Sequence, residues 1–214
     1  MTIRIIQSPN NVDELLNKER NTHVYFPAGP ILGGDDWQDT AIELISKMDP
    51  ESIIACPKNY NKSHRFSRYI LPDMTETDEL KNSLGLGVFK NQTQWERHYM
   101  DISSWKGCLM FFFPEESKTN PRAKAAGPYA QDSYGEIARW SVRSANGIGW
   151  KNADGEAVIN MVVGGEPNFP GLRSIQKNLT EDHYGQQAYQ PDFPIYQTLE
   201  ETIFHAVAKA KSLS

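Results

Sequence analysis

The chain has 214 residues, of which 39% are hydrophobic and 23% charged, and these proportions are those of an ordinary globular domain with a sizeable core. Its net charge of −5 argues against nucleic acid as the main partner, because no basic surplus is present to neutralise phosphates. Cys56 and Cys108 lie in apolar runs and are predicted to be buried thiols of a reducing compartment. The N-terminus shows no signal pattern, and no apolar run approaches the roughly 18 residues of a membrane span, so we expect a cytoplasmic protein without a membrane partner.

Segments with strand and helix patterns alternate along the chain. Runs of β-branched, aromatic and apolar residues predict strands at residues 2–7, 23–26, 52–56, 107–113 and 157–163. Apolar residues at helical spacing predict helices at residues 10–19, 37–48, 91–105, 131–145 and 169–178, and after Thr198. Such alternation favours a mostly parallel sheet covered on both faces. We predict one α/β domain over residues 1–214, a flavodoxin-like sandwich with 107–113 as a central strand.

The helix starts and the connections carry further signals. Three pairs fit the capping box, in which a side chain at each position satisfies a free backbone N–H: Asp35 with Gln38, Ser133 with Glu136, and Thr198 with Glu201. Two long polar connections, residues 58–90 and 115–132, are predicted to be functional or partly ordered insertions. The five histidines have no metal-ligand spacing, and the loop at 27–34 matches no phosphate-binding fingerprint. We therefore expect no metal and no cofactor.

Glu136 has two interpretations. It is either a capping residue, or a carboxylate that faces the crevice where open α/β sheets bind ligands, at the carboxyl ends of the strands. In the second interpretation, the positive end of the helix dipole keeps this first-turn carboxylate ionised, as a nucleophile must be. Gly135 beside it leaves room for a ligand.

Four segments, in this order, resemble the nucleoside 2-deoxyribosyltransferases, particularly their second, less typical subfamily. They are Tyr25-Phe26-Pro27-Ala28-Gly29-Pro30-Ile31 with Trp37-Gln38, Gln94-Trp95-Glu96, Leu109 to Pro114, and Ser133-Tyr134-Gly135-Glu136-Ile137-Ala138-Arg139-Trp140. The resemblance implies that Glu136 is the nucleophile and that a second carboxylate, on the preceding helix, handles protons at the base or holds the sugar. The Trp-Glu match points to Glu96. The segment after Trp95 is about one helical turn longer than the family pattern, and Lys106-Gly107 replaces the usual Asp before the strand, so Asp101 is the alternative.

The chemistry suits these residue types. Cleavage of an N-glycosidic bond develops positive charge at the anomeric carbon, which a carboxylate can stabilise or capture, and the base leaves more easily once an acid has protonated it. The loop at 29–36 would form one wall, with Tyr25 or Trp37 against the base, although core packing is the interpretation we favour for Trp37 and Trp95. The predicted substrate-binding residues are Tyr25, Gly29, Pro30, Asp35, Asp36, Trp37, Ser133 and Tyr134.

The leading hypothesis is an enzyme that transfers a 2-deoxyribosyl group between nucleobases through a covalent glutamyl intermediate. Its partners would be a nucleoside and a free nucleobase, and the family implies a homo-oligomer. One rival is a hydrolase of nucleosides or nucleotides on the same scaffold, and another is a nucleotide-binding sensor without turnover.

The sequence of the first loop bears on whether the substrate carries a 5′-phosphate. Related monophosphate N-glycosidases have a Ser-x-Arg-Gly-Gly pattern there, whereas this chain has Pro30-Ile31-Leu32-Gly33-Gly34, followed by two acids that would repel a dianion. We therefore expect free nucleosides to be preferred over 5′-monophosphates. The alternative is that the second insertion folds over the cleft and restores the missing charge with Lys118, Arg122 and Lys124.

Overall fold

The computed structural model describes residues 3–74, 89–145, 150–151, 157–180 and 193–213. Within these ranges the chain forms eight strands: β1 (Ile5–Ile6), β2 (Val24–Ala28), β3 (Ile53–Ala55), β4 (Gly107–Phe113), β5 (Trp150–Lys151), β6 (Ala157–Val158), β7 (Met161–Gly165) and β8 (Ile195–Tyr196). The helices are α1 (Asp13–Lys18), α2 (Trp37–Met48), α3 (Gln92–Lys106), α4 (Gln131–Ala145), α5 (Leu172–Thr180) and α6 (Leu199–Lys211). None of these helices is long and apolar enough to cross a membrane.

Six of the described strands form one parallel sheet in the order β1-β3-β2-β4-β7-β8. From β3 to β8 this is the strand order of the flavodoxin-like sandwich, with β1 added at one edge. The predicted fold class is therefore confirmed. The chain steps outward from β2 to β3 and then returns to β4 on the other side of β2, so the direction of winding reverses between β2 and β4. Ligands of such sheets bind outside the carboxyl ends of the strands at this reversal.

Side chains that alternate along the strands contribute to two separate hydrophobic cores, one on each face of the sheet. Phe26 of β2 and Phe111 of β4 pack under α1, α3, α4 and α5. Tyr25 and Met110, one residue away on the same strands, point to the opposite face, which α2 and α6 cover. Burial on both faces explains why β4, at the centre of the sheet, consists of buried residues along its whole length.

Most predicted elements are confirmed, but one predicted strand is wrong. The segment 157–163 divides into β6, which pairs antiparallel with β5, and β7, which lies in the main sheet. Residues 75–88 of the first predicted insertion lie outside the described residues. Both cysteines are buried and free, as predicted, and burial raises the pKa of Cys56 to about 11.

Only one of the three predicted capping boxes forms. The Thr198 side chain accepts a hydrogen bond from the Glu201 backbone N–H at 3.1 Å, at the start of α6. At α2 the N-cap residue is Asp36, and no side-chain cap bond is present among the described residues, because Asp35 takes a left-handed conformation with φ of 50°. At α4 the helix begins at Gln131, so Ser133 lies inside the first turn rather than before it.

Candidate active site

A cleft of about 820 Å³ lies at the carboxyl end of β2, beside the connection that follows β4. This is the point where the direction of winding reverses. The turn after β2 forms one side with Gly29 and Pro30, and α3 and α4 contribute Glu96 and Glu136. The fold therefore brings residues that are far apart in the sequence to one opening.

The turn after β2 depends on Gly29. Its φ of +148° is strained for other residues, and a Cβ there would lie 2.2 Å from the carbonyl oxygen of Phe112. The following residue, Pro30, is also fixed in position, because Trp37 Nε1 donates a hydrogen bond to its carbonyl oxygen at 2.8 Å. The backbone of this turn can therefore approach a ligand while remaining fixed in position.

Glu136 is a half-buried carboxyl on the cleft. Burial, followed by the negative charges of Glu96 and Asp132, raises the pKa of Glu136 to about 7, and Arg97 opposes this rise. The expectation that the helix dipole keeps Glu136 ionised is therefore wrong. Since α4 begins at Gln131, Glu136 lies in the second turn, beyond the region where the dipole acts strongly. Glu136 therefore holds its proton to a higher pH than an ordinary glutamate does.

Glu96 is the second carboxyl of the cleft. Gln92 Nε2 holds it by donating to Glu96 Oε1 at 2.9 Å, and the same nitrogen donates to the Pro57 carbonyl at 2.9 Å. Burial raises the pKa of Glu96 and the charge of Asp132 adds to the rise, whereas the hydrogen bond from Gln92 opposes it. A carboxyl whose pKa is raised in this way is suited to donate a proton.

The alternative acid, Asp101, does not line the cleft. Its Oδ1 accepts a hydrogen bond from Arg143 Nη2 at 2.6 Å. Five residues along an α-helix amount to a net rotation of about 140°, so the same helix cannot present both Glu96 and Asp101 in one direction. The structure therefore brings Glu96, and not Asp101, to Glu136.

Three aromatic residues predicted to bind substrate lie outside the cleft. Tyr25 is fully buried on the opposite face of the sheet, where its hydroxyl donates to Asp49 Oδ2 at 2.7 Å. Trp37 packs against Phe112 with ring centroids 5.5 Å apart, which confirms the core-packing interpretation. Tyr134 points away from the opening and packs against aromatic residues of β4 and of the segment before α5. Strand alternation and helix rotation, which the motif match did not include, explain these corrections.

Of the remaining predicted substrate-binding residues, three line the cleft and two do not. Gly29, Pro30 and Ser133 line the cleft. Asp35 and Asp36 do not; both are exposed, and Asp36 Oδ1 lies 2.6 Å from Lys58 Nζ.

The sequence analysis missed most of the charged side chains at the opening. Of the described residues, five cationic and three acidic side chains line the cleft: Lys58, Arg97, Arg122, Arg139 and Arg143, with Glu96, Asp132 and Glu136. Helical spacing could have found Arg139 and Arg143, because they lie on the same helix face as Glu136. Arg122 has no such local signal, since its position depends on how the second insertion folds.

Two carboxyl groups with raised pKa values, from two helices, thus share one cleft with several cations. Such a pair can divide one nucleophilic role and one acidic role between its members. The sequence matches no known protein-family model and no curated protein.

Proposed function

We propose that the protein transfers a 2-deoxyribosyl group between nucleobases through a covalent glutamyl intermediate. The observation that carries the proposal is the pairing of Glu136 and Glu96 at one cleft, where each has a raised pKa. In retaining glycosyl transfer, one carboxylate captures the anomeric carbon and another group gives its proton to the leaving group.

The first half-reaction uses both residues. An oxygen of the Glu136 carboxylate forms a bond to the anomeric carbon, and the bond from that carbon to the base nitrogen breaks. The electron pair of the broken bond goes to the base, which receives a proton from Glu96. In the second half-reaction a nitrogen of another base attacks the same carbon, Glu136 leaves as a carboxylate, and the proton of the incoming base passes to Glu96.

The cleft also has apolar lining for a sugar bearing a base. Ile31 and Leu32 line the cleft and are accessible, Leu32 being 59% exposed, so they can contact a flat ring, whereas Phe26, Ala28, Met100 and Trp140 are almost completely buried. The volume of about 820 Å³ is in the upper part of the range of small-molecule sites. The cleft can therefore accommodate a nucleoside and the second base that replaces the first.

The test is an incubation with each common deoxynucleoside and its 5′-monophosphate, with and without a second free base, followed by chromatography. A transferase forms a new deoxynucleoside or deoxynucleotide only when the second base is present. Release of deoxyribose or its phosphate, equally fast with and without that base, would identify a hydrolase instead. Binding without any product would identify a non-catalytic sensor.

Glu136→Gln tests the nucleophile in the same assay. Gln cannot form the ester intermediate, and loss of a covalent catalyst costs up to about 10⁶-fold in rate. Glu200→Gln, an exposed glutamate on α6, is the matched control and should retain activity. If Glu136→Gln, correctly folded, turned over like the control, Glu136 would have no place in the mechanism.

A further inference from the structure

The charge at the cleft differs in sign from the charge of the whole protein. The chain carries a net charge of −5, but the described residues that line the cleft include five cations and three acids. A concave site of one sign in a protein of the other sign concentrates ligands of opposite charge. The ligand of this cleft is therefore expected to carry negative charge, which neither a nucleoside nor a free base provides.

Three of the five cations are bound to carboxylates. Lys58 Nζ lies 2.6 Å from Asp36 and 2.9 Å from Asp39, Arg143 pairs with Asp101, and Arg122 pairs with Asp132 at 3.4 Å. Arg97 and Arg139 are exposed, and within the described part of the chain no ion pair joins either of them to a carboxylate. Arg97 and Arg139 are thus available to a ligand.

Arg122 is the cation most clearly positioned for an anion. Its side chain is only 10% exposed, although it lines the cleft. Nη2 donates to the Ala126 carbonyl at 2.6 Å and to Asp132 Oδ2 at 3.4 Å. Nε is buried and has no hydrogen-bond partner among the described residues. A buried guanidinium N–H without an acceptor is costly, and an anion in the cleft would supply the acceptor.

The second insertion holds Arg122 at the turn that follows β2. The Arg122 backbone N–H donates to Glu116 Oε1 at 2.9 Å, and the Ser117 N–H donates to the Gly33 carbonyl at 2.7 Å. A Cβ at Gly33 would lie 2.8 Å from Arg122 N, so glycine permits this close approach. Arg122 therefore lies beside the first loop. In that loop, Leu32 occupies the position of the arginine in the Ser-x-Arg-Gly-Gly pattern of related monophosphate N-glycosidases.

The first turn of α4 lies at the same place. Gln131, Asp132 and Ser133 line the cleft, and the 15-residue helix directs its free backbone N–H groups to this end. A helix N-terminus beside a guanidinium is a combination that binds phosphate. Asp132 opposes it, since its carboxylate lies 3.4 Å from Arg122 Nη2, but this side chain is 79% exposed and water screens its charge.

We propose that Arg122 and the N-terminus of α4 form a phosphate subsite, and that the substrate of the cleft is a nucleoside 5′-monophosphate. The assignment of sugar and base rests on the proposed function, whereas the phosphate subsite rests on Arg122 and the N-terminus of α4. It replaces the expectation of free nucleosides, because Asp35 and Asp36 do not line the cleft and the second insertion supplies the arginine that the first loop lacks.

The test is calorimetric titration of the wild type and of Glu136→Gln, which cannot form the ester, with the four common deoxynucleosides, their 5′-monophosphates and inorganic phosphate. We expect at least one monophosphate to bind about 10- to 100-fold more tightly than its nucleoside, which is the range for a charge-assisted hydrogen bond. Arg122→Gln should remove this advantage, and Arg122→Lys should restore part of it. Lys124→Gln is the matched control, because this exposed lysine of the same insertion does not line the cleft.

The other outcomes overturn the proposal in distinguishable ways. Equal affinity for nucleosides and monophosphates, or no binding of any monophosphate, would remove the subsite. Arg122-dependent binding of inorganic phosphate without tighter nucleotide binding would show an anion site unrelated to the substrate. Tight monophosphate binding without base exchange or hydrolysis would support the subsite and contradict the proposed transferase.

Discussion

Glu136→Gln should stabilise the folded protein at alkaline pH while it abolishes turnover. Burial, followed by the charges of Glu96 and Asp132, raises the pKa of this carboxyl from 4.5 to about 7. A raised pKa means that the folded protein binds the proton more tightly than the unfolded chain does. Ionisation of Glu136 therefore penalises folding, and Gln keeps the shape of the side chain without that penalty.

The size of the effect follows from the two pKa values. Each tenfold difference in proton affinity is worth about 1.4 kcal/mol, so a rise from 4.5 to about 7 corresponds to at most about 3 kcal/mol. Water reaches part of the side chain and reduces this value. The penalty is absent below about pH 4, grows as the unfolded chain ionises, and is constant above about pH 7. The variant should gain up to about 3 kcal/mol at about pH 8 and nothing from charge at about pH 4.

Urea unfolding followed by circular dichroism at both pH values measures this difference directly. The acidic measurement is the control, because it contains every effect of the substitution except the charge. A free-energy difference between variant and wild type that is the same at both pH values would refute the reasoning. Glu136 would then titrate as an exposed carboxyl does, and the electrostatic pairing with Glu96 would have no consequence.

Two further predictions concern the acid and the opposite end of the sheet. Glu96→Ala should slow turnover of natural substrates by about 10²- to 10⁴-fold, and turnover of substrates with activated leaving bases much less. Asp101→Ala should slow turnover of both substrate types equally and only slightly. Measuring kcat for both variants on matched natural and activated substrates decides between these outcomes. Burial alone would raise the pKa of Asp49, but hydrogen bonds with His23 and Tyr25 outweigh it and lower the pKa. The stabilisation is therefore present above about pH 4 and is lost as pH falls through the lowered pKa. Asp49→Asn should cost about 1–3 kcal/mol at about pH 7 and much less in acid, as urea unfolding would show; an equal cost at both would contradict it.

Elements with strong local signals could be predicted from the sequence. The seven residues of β4 are apolar without alternation, which indicates a strand buried on both faces, and the sheet places it at the centre. Thr198 with Glu201 identified the start of α6 because this cap is a local interaction. The same signal failed at Ser133, since Ala130 takes a left-handed conformation with φ of 59° and the helix begins immediately afterwards.

Placing the cap at Ser133, three residues after Ala130, changed the predicted electrostatics of the site. In the first turn Glu136 would have met the positive end of the helix dipole, whereas in the second turn burial and neighbouring carboxylates determine its pKa. Asp132 lies one turn before Glu136 on the same helix, so helical spacing could have found it, but Glu96 reaches Glu136 only through the packing of α3 and α4. Arg122 is a similar case, since its approach to Gly33 exists only in the folded insertion.

The pairing of Glu96 with Glu136 has a consequence for the proposed reaction. A charged Glu96 raises the pKa of Glu136, so a protonated Glu96 favours the ionised, nucleophilic form of its neighbour. The acid must be protonated when the base leaves, and at that moment the pair carries one negative charge, on Glu136. After the step, Glu136 is a neutral ester and the charge has moved to Glu96. The pair thus holds one negative charge throughout, and the half-buried site never has to accommodate two. The raised pKa values, which cost stability in the folded protein, are therefore the condition under which one carboxyl can attack while the other donates a proton in the proposed reaction.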